Sequence, residues 1–231
     1  MKILIISSGR AGSSALSIGL SNSINLCNLF FEPFVPPNID GRDRGLSQSD
    51  LSSPTNFLKH HYFLKNSNFS LVEKHIIWDP CIWDYISFSQ IFYKVEYLHK
   101  IRQNMTIEAC VNFYLEYSKL FDVVILLGRK NIDDLVNSWG QANSTGNFFL
   151  PYKNNLNLNI KPKKEMPNIL LLEEMLNKLS NKLNLPITYY EDLFSGNKEF
   201  IKNFLKINNI PIDDFSLFCE YLDPKNRYKQ I

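Results

Sequence analysis

The sequence predicts an α/β protein, a central parallel sheet flanked by helices. Several short runs are apolar without alternation, which is how a strand buried on both faces reads, and the segments between them space their apolar residues as helices do. The chain has 231 residues, 45% of them hydrophobic, enough for one sizeable core. A single domain over residues 1–231 is expected.

Taken in order, the first strand is "KILIIS" at residues 2–7, followed by a helix over 13–23. A weaker strand is expected at 26–31 and a strong one at 71–78. A helix follows at 106–120, then the strand 122–127 and a helix over 132–142, which Asn131 is placed to cap. The last pair is a helix at 170–183 and a strand at 186–190. Two stretches break the alternation. Residues 35–53 are rich in Pro, Gly, Ser and Asp, and residues 143–167 in Asn, Lys and Pro, so both read as long loops. In open parallel sheets ligands bind beyond the carboxyl ends of the strands, so such loops are expected to build or cover a site.

Charge narrows the partners. With 25 Lys and Arg against 23 Asp and Glu the net charge is +2, without the basic field of a duplex-binding protein, so nucleic acid is not expected. Cys27, Cys81, Cys110 and Cys219 lie far apart with no Cys-x-x-Cys spacing, and the adjacent His60 and His61 point apart. No metal site is expected, and the thiols imply a reducing compartment. No signal-peptide pattern opens the chain and no apolar run reaches membrane-spanning length, so a soluble, cytoplasmic protein is expected, its oligomeric state open.

Two segments carry chemistry. "SSGRAGSSAL", Ser7 to Leu16, joins a buried strand to a helix. The first N–H groups of a helix have no intrahelical partner and the helix dipole adds positive charge there, so an anion fits. Gly9 and Gly12 allow tight backbone geometry, Ser13 and Ser14 add hydroxyl donors, and Arg10 adds a forked positive charge. A phosphate or phosphate-like group is the expected guest. In the second segment, "DVVILLGRKNIDDLVNSWGQA", Arg129 ends a strand and Ser138 stands nine residues on, within a helix. That is two and a half turns, so the two can meet only if the chain turns back before the helix begins.

In this order and spacing, the two segments resemble the nucleotide-binding segments of sulfotransferases that use 3′-phosphoadenosine 5′-phosphosulfate (PAPS). "LFFEPF", Leu29 to Phe34, is similar to the Glu-Pro segment of carbohydrate sulfotransferases. "ITYYEDLFSG", Ile187 to Gly196, is similar to a late Tyr-Glu-Asp-Leu segment of the family, and "DPKNRYKQI" stands where members have a basic loop. The resemblance implies a P-loop-NTPase-like sulfotransferase fold and PAPS as co-substrate. It implies that Arg10, Ala11, Gly12, Ser13 and Ser14 cradle the 5′ end and that Arg129 and Ser138 hold the 3′-phosphate, with Tyr190, Lys225 and Arg227 also on the nucleotide.

It further implies transfer of a sulfonate to a hydroxyl or amine of a small-molecule or glycan acceptor, without a metal. Arg10 would face the charge growing on the leaving phosphate. Glu32 is the expected base for the acceptor proton. His75, in "VEKHIIWD", is the competing base, with Lys74 beside it able to reach the sulfonate; the similar Lys-x-His segment of aryl and steroid sulfotransferases is spaced one residue differently. Two alternatives stay open: a family member that binds nucleotide or a partner without turnover, and a kinase on a P-loop-like fold. Against the kinase, the chain lacks G-x-x-x-x-G-K followed by Ser or Thr, and Arg129 stands where an NTPase needs a magnesium-binding Asp.

Overall fold

Five stretches form one sheet in the computed structural model, which describes residues 1–7, 10–25, 27–31, 75–79, 107–119, 121–145 and 166–226. They are β1 (Lys2–Ser7), β2 (Cys27–Phe31), β3 (His75–Asp79), β4 (Val123–Gly128) and β5 (Ile187–Tyr189). The order is β2-β3-β1-β4-β5, and every neighbouring pair is parallel. β1 lies between β3 and β4, with Ile3 opposite Val123 and Ser7 opposite Leu127. Its unbroken apolar run follows from that place: Ile3, Leu4, Ile5 and Ile6 alternate between two covered faces and none is exposed.

The expected helices form as α1 (Ser13–Ser23), α2 (Ile107–Ser118), α3 (Ile132–Thr145) and α4 (Met166–Leu183). α3 runs past residue 142 and α4 begins before residue 170, so both ends of the expected 143–167 loop are helical. α4 tolerates Pro167 because the first turn of a helix does not need that N–H. Residues 146–165, the expected 35–53 loop and residues 71–74 lie outside the described residues.

Three further helices follow among the described residues: α5 (Tyr190–Leu193), α6 (Lys198–Ile207) and α7 (Phe215–Leu222). The strand expected to reach residue 190 therefore ends at Tyr189. Local signals for the last two helices were present. The Asn197 side chain accepts from the N–H of Glu199 and of Phe200, both at 3.1 Å, and the Asp214 side chain accepts from Leu217 N–H at 2.9 Å. α6 buries Ile201, Phe204 and Leu205 and exposes Lys198, Lys202 and Lys206, a helical stripe of each kind.

Helices cover both faces. On one, α1 packs with α6 and α7 over Ile3, Ile5, Ile125 and Leu127. On the other, α4 packs on β4 and on α2, with Leu176 against Gly128. α7 runs antiparallel to α1: Asp213 and Asp214 donate backbone N–H groups to Ser23 O, while Phe218 and Tyr221 lie against Gly19. A Cβ on Gly19 would stand 2.8 Å from Tyr221 Cβ, so the close approach of the two helices requires glycine. No described helix is long and apolar enough to cross a membrane.

Phe218 is fully buried at this contact, so Phe218→Ala opens a cavity between α1 and α7. We expect it to destabilise the protein by about 3–5 kcal/mol. The urea unfolding midpoint reads this directly, and an unchanged midpoint would show that α7 is not part of the cooperative core.

Candidate functional site

A parallel sheet collects all its carboxyl ends at one edge, and its topology marks one gap there. β1 leads to β2 on one side while β4 leads to β5 on the other, so the crevice between the carboxyl ends of β1 and β4 is the topological switch point. Both motif segments emerge into this crevice, because the ladder ends with Ser7 opposite Leu127.

The turn after β1 holds unusual backbone. Arg10 has φ 68 and Gly12 φ 91, both left-handed. For a residue with a Cβ that conformation costs about 1–2 kcal/mol, so the fold holds Arg10 against its own preference. Gly12 is the N-cap of α1, and α1 has neither a side-chain cap hydrogen bond nor an acidic residue in its first turn. The positive end of the helix is therefore not answered by a carboxylate of its own first turn. Ser14 is half-buried, Ser13 is buried, and Ala11 is fully buried within the core. Ser8 and Gly9 lie outside the described residues.

The turn after β4 is held mainly by the short helix α5. Arg129 Cζ stands 4.3 Å from the centroid of the Tyr190 ring, and its Nε stands 3.6 Å from Glu191 Oε1. The Arg129 side chain is only 11% exposed, yet its buried Nε makes no hydrogen bond among the described residues. Glu191 accepts from the Lys130 N–H at 2.9 Å and the Asn131 N–H at 3.2 Å, while Lys130 Nζ donates to Asp192 at 2.5 Å. Asn131 caps α3 as its sequence position implies: Asp134 N–H donates to Asn131 Oδ1 at 3.1 Å, and Asn131 Nδ2 donates to Asp134 at 2.9 Å.

The two turns meet in two places. Arg10 Nε donates to Ser138 Oγ at 2.9 Å, and Ser138 is buried two turns into α3. The rings of Tyr190 and Phe194, stacked at 4.6 Å, form the second junction. A Cβ on Gly12 would lie 2.8 Å from each ring, so Tyr190 touches the first turn as well as Arg129 of the second. Sequence reasoning placed Ser138 beside Arg129; in the structure its hydrogen bond runs to Arg10, and Arg129 is engaged by Tyr190 and Glu191 instead. The support from Glu191, Asp192 and Phe194 went unassigned. Its one sequence signal is "YEDLF", an aromatic pair at i, i+4 that shares a helical face.

The remaining expected residues separate. Ile76 pairs with Lys2, so His75 is level with Met1, six residues of strand before Ser7 and roughly 20 Å from the site edge at about 3.3 Å per residue. His75 therefore sits at the amino-terminal edge of the sheet, which corrects its expected role as a base. Lys225 is exposed just beyond α7. Lys74, Glu32 and Arg227 lie outside the described residues, although β2 ends at Phe31 on the site edge.

Burial pushes the Cys27 thiol up to about 11 and raises that of Cys219 as well, so both favour the neutral thiol. Among the described residues no group of three His, Cys, Asp or Glu is placed to hold a metal ion. What this edge gathers is two guanidinium groups, a helix N-terminus without a side-chain cap, and serine hydroxyls, the kinds of group that bind anions. Compared with protein-family models, with curated proteins and with solved structures, the chain matches none.

Gly12 tests how tightly the turn is built. Gly12→Ala imposes a left-handed Cβ and drives it into Tyr190 and Phe194, so we expect a loss of about 1–2 kcal/mol from the backbone alone and more from the collision. A urea midpoint indistinguishable from wild type would mean that the turn is not held against the aromatic stack.

Proposed function

We propose that the chain is a sulfotransferase that moves the sulfonate of PAPS to a hydroxyl or amine acceptor, a carbohydrate being the acceptor class. The observation that carries this is the Arg10 to Ser138 hydrogen bond of 2.9 Å, which joins one residue from each nucleotide-like segment across 128 positions of sequence. The residues present suit a doubly anionic nucleotide. Gly12 leaves no room for a side chain, the N-cap of α1 makes no side-chain hydrogen bond, and the largely buried Arg129 stands in the second turn with its Nε toward Glu191 and its face on the Tyr190 ring.

In this scheme Arg10, Ser13, Ser14 and the first N–H groups of α1 hold the 5′ end. Arg129 holds the 3′-phosphate against the Tyr190 ring. Bound PAPS supplies an activated sulfonate whose leaving group is the nucleotide phosphate. Arg10 and the helix N-terminus stabilise the negative charge that grows there, and they need no reorganisation because the fold already holds them. Ser138, through its bond to Arg10, ties the 5′ end of the site to the helix that follows Arg129. Glu32 takes the acceptor proton; His75, at the far edge of the sheet, is not part of this scheme.

Adenosine 3′,5′-bisphosphate should bind more tightly than AMP by isothermal titration, and Arg129→Ala should erase that difference. Equal binding of the two nucleotides to the wild-type protein overturns the proposal, because nothing would then recognise the 3′-phosphate.

Arg10→Ala should act on turnover instead. A contact that strengthens in the transition state shows in kcat, and one lost oxyanion donor costs about 100- to 1,000-fold. Labelled-sulfate transfer across an acceptor panel gives both constants. A raised KM for PAPS with kcat untouched would reduce Arg10 to a binding residue.

A further inference from the structure

One carboxylate meets three donors of consecutive residues in the turn after β4. Glu191 Oε2 accepts from the Lys130 N–H at 2.9 Å, and Oε1 accepts from the Asn131 N–H at 3.2 Å while standing 3.6 Å from Arg129 Nε. Arg129 is thus constrained twice. Its guanidinium face lies 4.3 Å from the Tyr190 ring centroid and its Nε edge faces Glu191, which together set both the plane and the axis of the group. Simple electrostatics would not put a carboxylate beside an anion site, since it repels the guest and offsets the Arg129 charge. Its place there needs another reason.

We propose that Glu191 is the positioning residue of this site: it fixes the backbone of residues 130–131 and the Arg129 guanidinium, so that an incoming phosphate meets a preset donor. The proposal rests on the reading of the Arg129 turn as the seat of the nucleotide 3′-phosphate. Holding Arg129 before the ligand arrives removes the ordering cost that a free, rotamer-rich arginine carries into binding. Neither close relative of glutamate can replace it. Every group that Glu191 meets here is a donor, so a glutamine amide would turn its own N–H against one of them. Aspartate keeps the charge but is one methylene too short to span the three.

The test uses the full chain labelled with 15N-arginine. The Arg129 Nε–H resonance is identified by its loss in Arg129→Ala, and melting temperature is followed in parallel. The wild-type resonance should be ordered and slow to exchange with solvent; in Glu191→Gln and Glu191→Asp it should join the fast-exchanging arginines. Both variants should bind adenosine 3′,5′-bisphosphate about tenfold or more weakly, the scale on which outer partners of a binding group act, with AMP affinity unchanged. For Glu191→Gln this loss follows the removal of a negative charge, opposite to the electrostatic expectation. Unchanged or tighter bisphosphate binding by Glu191→Gln overturns the proposal, as does an Arg129 resonance that stays ordered. If Glu191→Gln does not fold, Glu191→Asp is read by the same two criteria, and wild-type-like behaviour in it overturns the proposal. If wild-type protein binds the bisphosphate no better than AMP, the 3′-phosphate reading fails by itself, and the resonance in the two variants still decides whether Glu191 holds Arg129.

Discussion

The stacked rings of Tyr190 and Phe194 are the contact on which the site depends. They fill the space above Gly12 that a side chain would need, and the same Tyr190 ring carries the Arg129 guanidinium. Two turns separated by more than a hundred residues are thereby set against one aromatic surface. The stack can do this because α5 follows β5 directly, so the rings arrive at the carboxyl edge of the sheet without an intervening loop. Phe194 is itself almost fully buried in the core, so the aromatic surface is anchored to the packing of α1, α6 and α7.

Strand order does the coarser part of the same work. With β1 and β4 adjacent and their onward connections diverging, the two turns leave the sheet side by side at its carboxyl edge, the place where open parallel sheets bind ligands. The left-handed Arg10 and the buried Arg129 Nε are each unfavourable in isolation. They persist because the surrounding core over-determines them, and strain of this kind collects where a protein binds or reacts. Two acidic residues beside the second turn, Glu191 and Asp192, are spent on the donors of residues 129–131.

The sheet and the first four helices were legible because their cause is local. A strand buried on both faces must be apolar throughout, and a helix on a sheet must repeat its apolar residues every third or fourth position. Boundaries moved where a local rule has an exception: Pro167 reads as a breaker but is harmless in a first turn, and Tyr190 continues a strand pattern but begins a helix. The short helices α6 and α7 announced themselves through Asn197 and Asp214, signals that a search for sheet-forming alternation passes over.

For the site, residue types pointed to Arg10 and Gly12, since an anion-binding turn needs glycine, hydroxyl and guanidinium groups near a helix start, whereas Arg129 and Ser138 stood out through the resemblance to sulfotransferase segments. Which of them touch was not legible. Partners at these distances are chosen by strand order and helix packing, so the bond from Arg10 to Ser138, the seat of Arg129 on Tyr190 and the grip of Glu191 on residues 129–131 arise only when β1, β4 and β5 lie side by side. His75 makes the same point in reverse. Its neighbours in sequence suggested chemistry, but register places it at the end of its strand away from the crevice, because a parallel sheet sends its amino and carboxyl ends to opposite edges. The chain by itself determined which groups are available and where strands and helices form, through periodicity and local hydrogen bonding; the tertiary structure alone decided which groups meet, through the order and register of the sheet.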